Sequence, residues 1–435
     1  MPPMADLGDA LLSTWIALTR LAGPVGTVIV GARRRRGKED PARSAERLGH
    51  PSATRPEGPL VWVHAVSVGE AMAAMPVIDR LTAEGRSVLV TTVTTTSAAL
   101  VGHRLRPGLV HQFAPLDLAG PVDRFLAHWR PDLAVFVESE IWPVTIGRLA
   151  DHGIPLVVAN ARLSPRSFRG WQRAAPAARA VFRRMSLVLA QTDDDGARFS
   201  RLGASQVATF GNIKFDAGLP DVGIADLDAL KNGIGERPTV LAASTHPGED
   251  EVVLTAFLKL REKRPETLLV IVPRHPVRGG DIALLSEAAG LATRRRGIGE
   301  LPDGATEVYV ADTLGELGAF FQLADAVLMG GTFVDGIGGH NLIEPARLGA
   351  AVISGPHFSN WLDIYHAFID AGGLRIVRSP DELADAALGL IGDPALRKAQ
   401  AAAGERVVSG SAGAVARTIE AITPLIGRSS GGGPC

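Results

Sequence analysis

The chain predicts an α/β protein built from two doubly wound, parallel-sheet domains. Three observations carry that expectation. Short runs rich in Val, Ile and Leu recur along residues 60–215 and again along 239–377, spaced by segments of helical period. A stretch holding Gly218, Pro220, Gly223, Gly233 and Gly235, with few apolar anchors, separates the two series. Clusters of Glu, His, Lys and Asn fall directly after the apolar runs, at strand ends where open α/β sheets bind ligands.

Composition sets the bounds. With 435 residues the chain suits two or three domains, and 46% hydrophobic residues suffice for sizeable cores. A formal net charge of −1 excludes a nucleic-acid binder driven by overall charge. The single cysteine, Cys435, rules out a disulfide framework and a cysteine-based metal site. His246, His275, His340 and His357 fall near strand ends but lack metal-ligand spacing, so no metal site is expected.

Residues 11–31 are apolar, with Trp15, Ile16, Leu18 and the 28–30 run, but Arg20, Gly23, Pro24 and Gly26 interrupt them. Four arginines, Arg33 to Arg36, follow. An uninterrupted membrane span needs about 20 apolar residues. Residues 1–36 therefore read as a membrane-surface or single-pass anchor whose basic run faces the cytoplasm, in preference to the alternative of a simple core helix. No small-residue cleavage site is present, so a secretory signal is not expected. Residues 37–58, polar and Pro-rich, read as a linker.

Residues 59–217 form the first expected domain. Its strand candidates are 60–66, 87–94, 110–114, 132–138, 155–160, 186–191 and 206–210. Helices are expected at 71–81, 117–129 and 171–184. Residues 218–236 read as the interdomain connector. Residues 237–427 form the second domain, with strands at 239–243, 267–272, 307–311, 326–330, 351–354 and 374–377 and a last helix at 412–425. The tail 428–435 is expected to be disordered. Two such halves would face each other across a cleft, and no sequence repeat relates them.

The first strand runs into Ser67-Val-Gly-Glu70. Ser67 is placed to cap the next helix, Gly69 permits a close backbone approach, and Glu70 sits in the first turn. Glu70 is a candidate general base; the alternative is that it only complements the helix dipole. Glu138-Ser-Glu-Ile-Trp-Pro143 offers two carboxylates, Glu138 and Glu140, close enough to tune each other. Arg162, in Asn160-Ala-Arg-Leu-Ser164, would hold an anion or pair with Glu138 or Glu140. Lys214, in Gly211-Asn-Ile-Lys-Phe-Asp216, is a candidate for stabilising a leaving phosphate.

In the second half, Pro273-Arg-His-Pro276 places Arg274 as a phosphate fork beside His275. Gly330-Gly-Thr-Phe-Val and then Gly338-Gly-His-Asn-Leu-Ile-Glu344 would let backbone N–H groups crowd an anion. Glu344 is placed to accept from ribose hydroxyls. The Gly-Lys-Ser/Thr of a Walker A loop is missing.

Taken together, Ser67 to Glu70, Glu138 to Pro143, Asn160 to Ser164, Gly211 to Asp216, Pro273 to Pro276 and Gly339 to Glu344 resemble the 3-deoxy-D-manno-octulosonic acid (Kdo) transferases of lipopolysaccharide synthesis. The match runs in order from about residue 47 to 357. The resemblance implies a GT-B glycosyltransferase of two Rossmann-like domains, moving Kdo from CMP-Kdo to a lipid A precursor with inversion. It implies Glu70 as general base, with Glu138 and Lys214 stabilising the transition state. CMP would be held by Pro273 and Arg274, Gly315, Glu316 and Leu317, and Asn341, Leu342, Ile343 and Glu344, next to Gly339 and His340. It further implies no cofactor or metal, no nucleic-acid partner, and a place on the cytoplasmic face of a Gram-negative inner membrane. The sequence departs at Leu342 and Ile343, where the family often has Pro-Leu, and at Val144, where Asn commonly follows Trp-Pro. The rival readings are another nucleotide-sugar transferase or epimerase of the same architecture, and a non-catalytic nucleotide or lipid binder.

Overall fold

The computed structural model describes residues 4–216 and 227–426. It divides into two compact units. Unit 1 holds the described residues up to 216 and again from 411; unit 2 holds those from 227 to 410.

In unit 1 the strands are β1 (Leu60–His64), β2 (Ser87–Thr92), β3 (Leu109–Phe113), β4 (Leu133–Val137), β5 (Leu156–Ala161), β6 (Leu187–Ala190) and β7 (Val207–Thr209). They lie in the order β3-β2-β1-β4-β5-β6-β7, every pairing parallel. Side chains alternate across each strand, so a sheet covered on both faces needs an apolar residue at every position. Val61 and Val63 pack among Ala71, Met75 and Ile78. Leu60 and Trp62 pack on the opposite face with Phe125, Trp129 and Phe136.

Helix α1 (Met4–Leu21) belongs to that second face. Leu12 is in its core, and Thr19 Oγ1 accepts from Ala119 N at 3.2 Å. The approach is close enough that a Cβ on Gly8 would fall 2.2 Å from Pro176 O, and one on Gly147 2.6 Å from Ile16. Helix α1 is thus not a separate segment but a covering helix of unit 1, the core-helix alternative to an anchor. Helix α2 (Gly23–Arg35) follows after a 66° bend, and neither helix alone is long and apolar enough to cross a membrane. Pro24 starts α2, consistent with its tolerance in a first helical turn.

Residues 37–58 depart from the expected linker. A short 3₁₀ turn, Ser44–Leu48, is docked on the end of β3. Phe113 N donates to Glu46 Oε2 at 2.6 Å, and Leu116 N to Arg47 O at 2.8 Å. Polar composition misleads here because Glu39, Glu46 and Arg47 are buried with partners.

After β1 comes helix α3 (Val68–Ala83), longer than the apolar spacing suggests and continuing through Pro76; of its expected apolar face, Met72 is exposed while Met75, Ile78 and Leu81 are buried. The helix expected over 171–184 is two, Pro165–Arg173 and Ala175–Phe182, separated at Ala174, with Pro176 in the first turn of the second.

Unit 2 holds β8 (Thr239–Thr245), β9 (Leu268–Pro273), β10 (Thr293–Arg295), β11 (Val308–Val310), β12 (Ala326–Met329), β13 (Val352–Ser354) and β14 (Leu374–Ile376), in the order β10-β11-β9-β8-β12-β13-β14. All pairings are parallel. The edge strand β10, Thr-Arg-Arg, is one that the apolar-run criterion misses. Part of the expected connector, 218–226, lies outside the described residues. The rest is a helix, Leu227–Ile234, with Leu230 and Ile234 buried and Gly233 pressed against Pro302 O.

The last helix, Ala414–Ile422, joins unit 1 and not the second half to which its sequence position assigns it. Ala414, Ile419 and Ile422 enter the core beside Val77 and Leu81. Asp216 ties this helix down: its carboxylate accepts from Gly413 N and Val415 N, both at 2.6 Å. The expected disordered tail 428–435 lies outside the described residues.

Candidate active site

The order in which strands are added reverses beside the first strand of each sheet, between β1 and β4 in unit 1 and between β8 and β12 in unit 2. Strand carboxyl ends diverge at such a switch point, and ligands bind there. The strongest sequence candidates lie at these two places.

In unit 1, β1 leads into the cap. Ser67 Oγ accepts from Glu70 N at 3.2 Å. In return Glu70 Oε1 accepts from Ser67 Oγ at 2.8 Å, and Oε2 from Val66 N at 2.7 Å. This reciprocal pattern is close to a capping box, with the carboxylate reaching the N–H one residue before the cap, so the helix-start reading of Glu70 is correct as structure. It also fixes the position of the carboxylate. Burial raises the Glu70 pKa, the charge of Glu138 adds to that, and the hydrogen bonds oppose it. A Cβ on Gly69 would meet nothing nearer than Ser67 Oγ at 3.9 Å, so no packing within the protein demands this glycine.

The next strand over, β4, is followed directly by Glu138, which has φ of +65°. A non-glycine residue in the left-handed region is uncommon and recurs at functional turns. Glu138 pairs with Lys214 Nζ at 2.7 Å. Glu140 accepts from Trp142 Nε1 at 2.6 Å. Burial, reinforced by the charges of Glu70 and Glu138, pushes Glu140 up to about 7. Behind it, the Trp142 ring stands edge-on to His64 at 4.6 Å. His64 is buried and pushed down to about 3, chiefly by that burial.

Lys214 owes its position to residues the sequence reading did not single out. Buried Asn160, also at positive φ (+53°), accepts from Ile213 N at 3.0 Å through Oδ1. Gln191 donates to Asn160 O at 3.0 Å and accepts from Asn212 Nδ2 at 3.3 Å. Asn212 Oδ1 in turn accepts from Lys214 N at 3.0 Å. Thus the structure brings Glu70, Glu138, Glu140 and Lys214 together, with Arg162 half-buried beyond β5.

In unit 2, Pro273 ends β9, and Arg274 N donates to Thr245 O at 3.0 Å. Arg274 and His275 are exposed; the Arg274 charge acts on Glu344, His340 and His246. Asn341 Nδ2 donates to Glu344 Oε1 at 3.1 Å, and Ile343 N to Asn341 Oδ1 at 2.9 Å. Burial raises the Glu344 pKa. Gly339 has φ of +83° and lies against Phe358 and Tyr365, where a side chain would crowd both.

Three expectations need correction. Leu342 and Ile343 are fully buried, so their side chains serve the core. Glu316 spends its carboxylate on Arg296, at 2.5 and 2.7 Å, leaving exposed Gly315 and half-buried Leu317 as the reachable part of that turn. The first glycine pair does crowd an anion, but the anion belongs to the protein: Gly331, Thr332 and Phe333 donate to buried Glu249.

His246 and His340 meet Nε2 to Nε2 at 2.9 Å, with stacked rings. Burial pushes His340 down to about 4 and lowers His246. His275 stands 6.1 Å from His246 between ring centres. Among the described residues, no group of three His, Cys, Asp or Glu is arranged to hold a metal ion.

Residues 42–217 match the family model described as 3-Deoxy-D-manno-octulosonic-acid transferase (kdotransferase). A 3-deoxy-D-manno-octulosonic acid transferase of Bordetella pertussis is 37% identical over 410 residues, 91% of this chain and 94% of its own. This chain belongs to the Kdo transferases. A probable mitochondrial Kdo transferase of Arabidopsis thaliana is 36% identical over 387 residues, 87% of each chain. The Haemophilus influenzae Kdo transferase is 34% identical over 393 residues, 89% of this chain and 92% of its own.

Solved structures agree on the fold of this Kdo transferase. A UDP-GlcNAc 2-epimerase from Neisseria meningitidis superposes with a TM-score of 0.56 at 15% identity, covering 84% of this chain and all (100%) of that one. A glycosyltransferase from Rickettsia africae gives 0.55 at 12% identity, covering 85% and 99%. The fold class is GT-B, with two parallel-sheet, Rossmann-like units.

Proposed function

We propose that this Kdo transferase moves Kdo from CMP-Kdo to a lipid A precursor with inversion at the anomeric carbon. The observation that carries the reading is the set at the unit 1 switch point: Glu70 with a pKa raised by burial, beside the Glu138–Lys214 pair. A carboxylate with raised proton affinity, fixed by a cap, suits a general base. Glu70 would take the proton of an acceptor hydroxyl as that oxygen bonds to the anomeric carbon. The bond from that carbon to the phosphate oxygen breaks, and CMP leaves with the electron pair. Attack opposite the leaving group inverts the centre. Arg274 and Lys214 would offset the charge that develops on the phosphate. Glu344 and Asn341 would hold the nucleotide, with Glu344 accepting from ribose hydroxyls. We assign no step to a metal, so a chelator should leave transfer unchanged.

The acceptor is an amphipathic lipid, and the outer face of α1 and α2 supports a membrane-surface location. Leu7, Leu11, Trp15, Leu18 and Leu21 form an exposed helical stripe, continued by Val25, Val28 and Ile29. Arg33 to Arg36 follow directly and would attract anionic headgroups. We place the protein on the cytoplasmic face of a Gram-negative inner membrane, lying on the bilayer and not crossing it as a single straight helix. Sedimentation with anionic vesicles, wild type beside Trp15→Glu with Leu18→Glu, tests this; equal binding by both overturns it.

The deciding assay is transfer from CMP-Kdo to a tetraacyl lipid A precursor, with products weighed by mass spectrometry. Kdo added by wild type and lost in Glu70→Gln supports donor, acceptor and base together. Bound UDP in place of CMP points to another nucleotide-sugar enzyme.

A further inference from the structure

The turn after β8, His246-Pro-Gly-Glu249, closes on a carboxylate that is 1% exposed. Glu249 Oε2 accepts from His246 N at 2.9 Å and from Gly331 N at 2.6 Å. Its Oε1 accepts from Thr332 N at 2.8 Å and Phe333 N at 2.9 Å. Successive backbone amides converging on one anion form a nest, the arrangement that often receives phosphate. Here the anion is supplied by the chain. The nearby Arg278 is taken up by Asp250.

Two links run from this nest to the donor loop. Gly339 N donates to Gly331 O at 2.8 Å. His246 shares its Nε2 hydrogen bond with His340, the residue after Gly339. The fit is tight: Gly331 has φ of +71°, and a Cβ there would stand 2.9 Å from the His340 ring. Gly330 is equally constrained, since its Cβ would lie 2.6 Å from Ser244 O. Beyond His340 come Asn341 and Glu344, the polar groups proposed above to grip the nucleotide.

We propose that Glu249 is a positioning residue for the donor nucleotide. As an internal anion it sets the 331–333 turn, and through Gly331 and His246 it sets the backbone of 339–341 that presents Asn341 and Glu344. The proposal rests on the donor reading given above. Its reach is specific, because removing the charge should loosen the two turns and weaken nucleotide binding while the proton-transfer groups of unit 1 stay in place.

Glu249→Gln keeps the volume but turns one acceptor into a donor facing two amides. Glu249→Asp keeps the charge one methylene short. For wild type and both variants, CMP affinity would be measured by calorimetry, amide exchange by mass spectrometry over 331–333 and 339–341, and melting temperature alongside. In Glu249→Gln, CMP binding should weaken about tenfold to a hundredfold, as expected when a supporting contact is lost and a site is misplaced. Both segments should exchange faster, and the loss should appear in KM for CMP-Kdo before kcat. Glu249→Asp should fall between. A folded Glu249→Gln that binds CMP like wild type overturns the proposal, even if it melts earlier. Should Glu249→Gln not fold, Glu249→Asp decides: wild-type CMP affinity overturns the proposal, and weaker affinity with faster exchange at 339–341 supports it. A wild type that fails to bind CMP overturns the donor reading instead, and is told apart because the exchange difference at 331–333 would remain.

Discussion

Glu70 and Glu249 occupy corresponding places in the two units. Each follows the first strand of its sheet, each is preceded by glycine, and each stands at the switch point. Their surroundings differ. Glu249 is sealed from solvent and accepts four backbone N–H groups. Glu70 is half-buried, accepts one N–H and one hydroxyl, and lies near two further carboxylates. A carboxylate saturated by amides is fixed in place and serves as a strut. One that is partly desolvated and crowded by like charges gains proton affinity and can act as a base. Place in the fold selects the spot; hydrogen-bond saturation selects the role.

The largest test of that contrast is Glu70→Gln. Transfer should fall by about two to four orders of magnitude, the range for a positioned general base, while calorimetry shows CMP binding retained. Glu249→Gln should give the reverse pattern, so similar profiles for the two variants would break the comparison.

Lys214→Ala comes next. It leaves Glu138 without its counter-ion and removes a cation from the proposed leaving group. A drop in transfer of about two to three orders of magnitude is expected. The acid limb of the rate profile should also move to higher pH, because an uncompensated Glu138 disfavours the charged form of Glu70. An unmoved limb would mean that the three carboxylates act independently.

Glu140→Gln sharpens the argument through stability. The folded pKa of Glu140, about 7, lies above its ordinary 4.5. Between those values the folded state binds more protons than the unfolded one, so this group costs stability as pH rises through the window. Melting curves should show the variant gaining on wild type from about pH 4.5 to 7, with a constant difference above. A difference independent of pH refutes the crowding of charge.

Ser67→Ala is the smallest. Loss of the cap costs about 1 kcal/mol, read from denaturant unfolding. One hydrogen bond favouring charged Glu70 is also lost, so the acid limb should shift slightly upward.

The strands were legible because a sheet covered on both faces leaves apolar runs with little else inside them. Edge strand β10 was not, since Thr293, Arg294 and Arg295 carry no such run. The polar stretch 37–58 hid its docking, as buried Glu46 and Arg47 find partners far along the chain, at Phe113 N and Ala114 O. In the site, Glu70, Glu138 and Lys214 stood out as charged residues after strands. Gln191 did not, and the motifs opening on Asn160 and holding Glu249 stood out without their roles, which lie in hydrogen bonds to distant backbone. A signal for Glu249 was nevertheless present: Gly-Glu after the first strand occurs in both halves.

The closing helix has a consequence for biosynthesis. Ala414, Ile419 and Ile422 complete a core whose other members are made hundreds of residues earlier. During translation the amino-terminal half emerges first, yet that core cannot be completed until the last segment leaves the ribosome, after the whole of unit 2 has been made. A nascent chain stalled before residue 414 would present an unfinished sheet face to chaperones and proteases, however well unit 2 had folded.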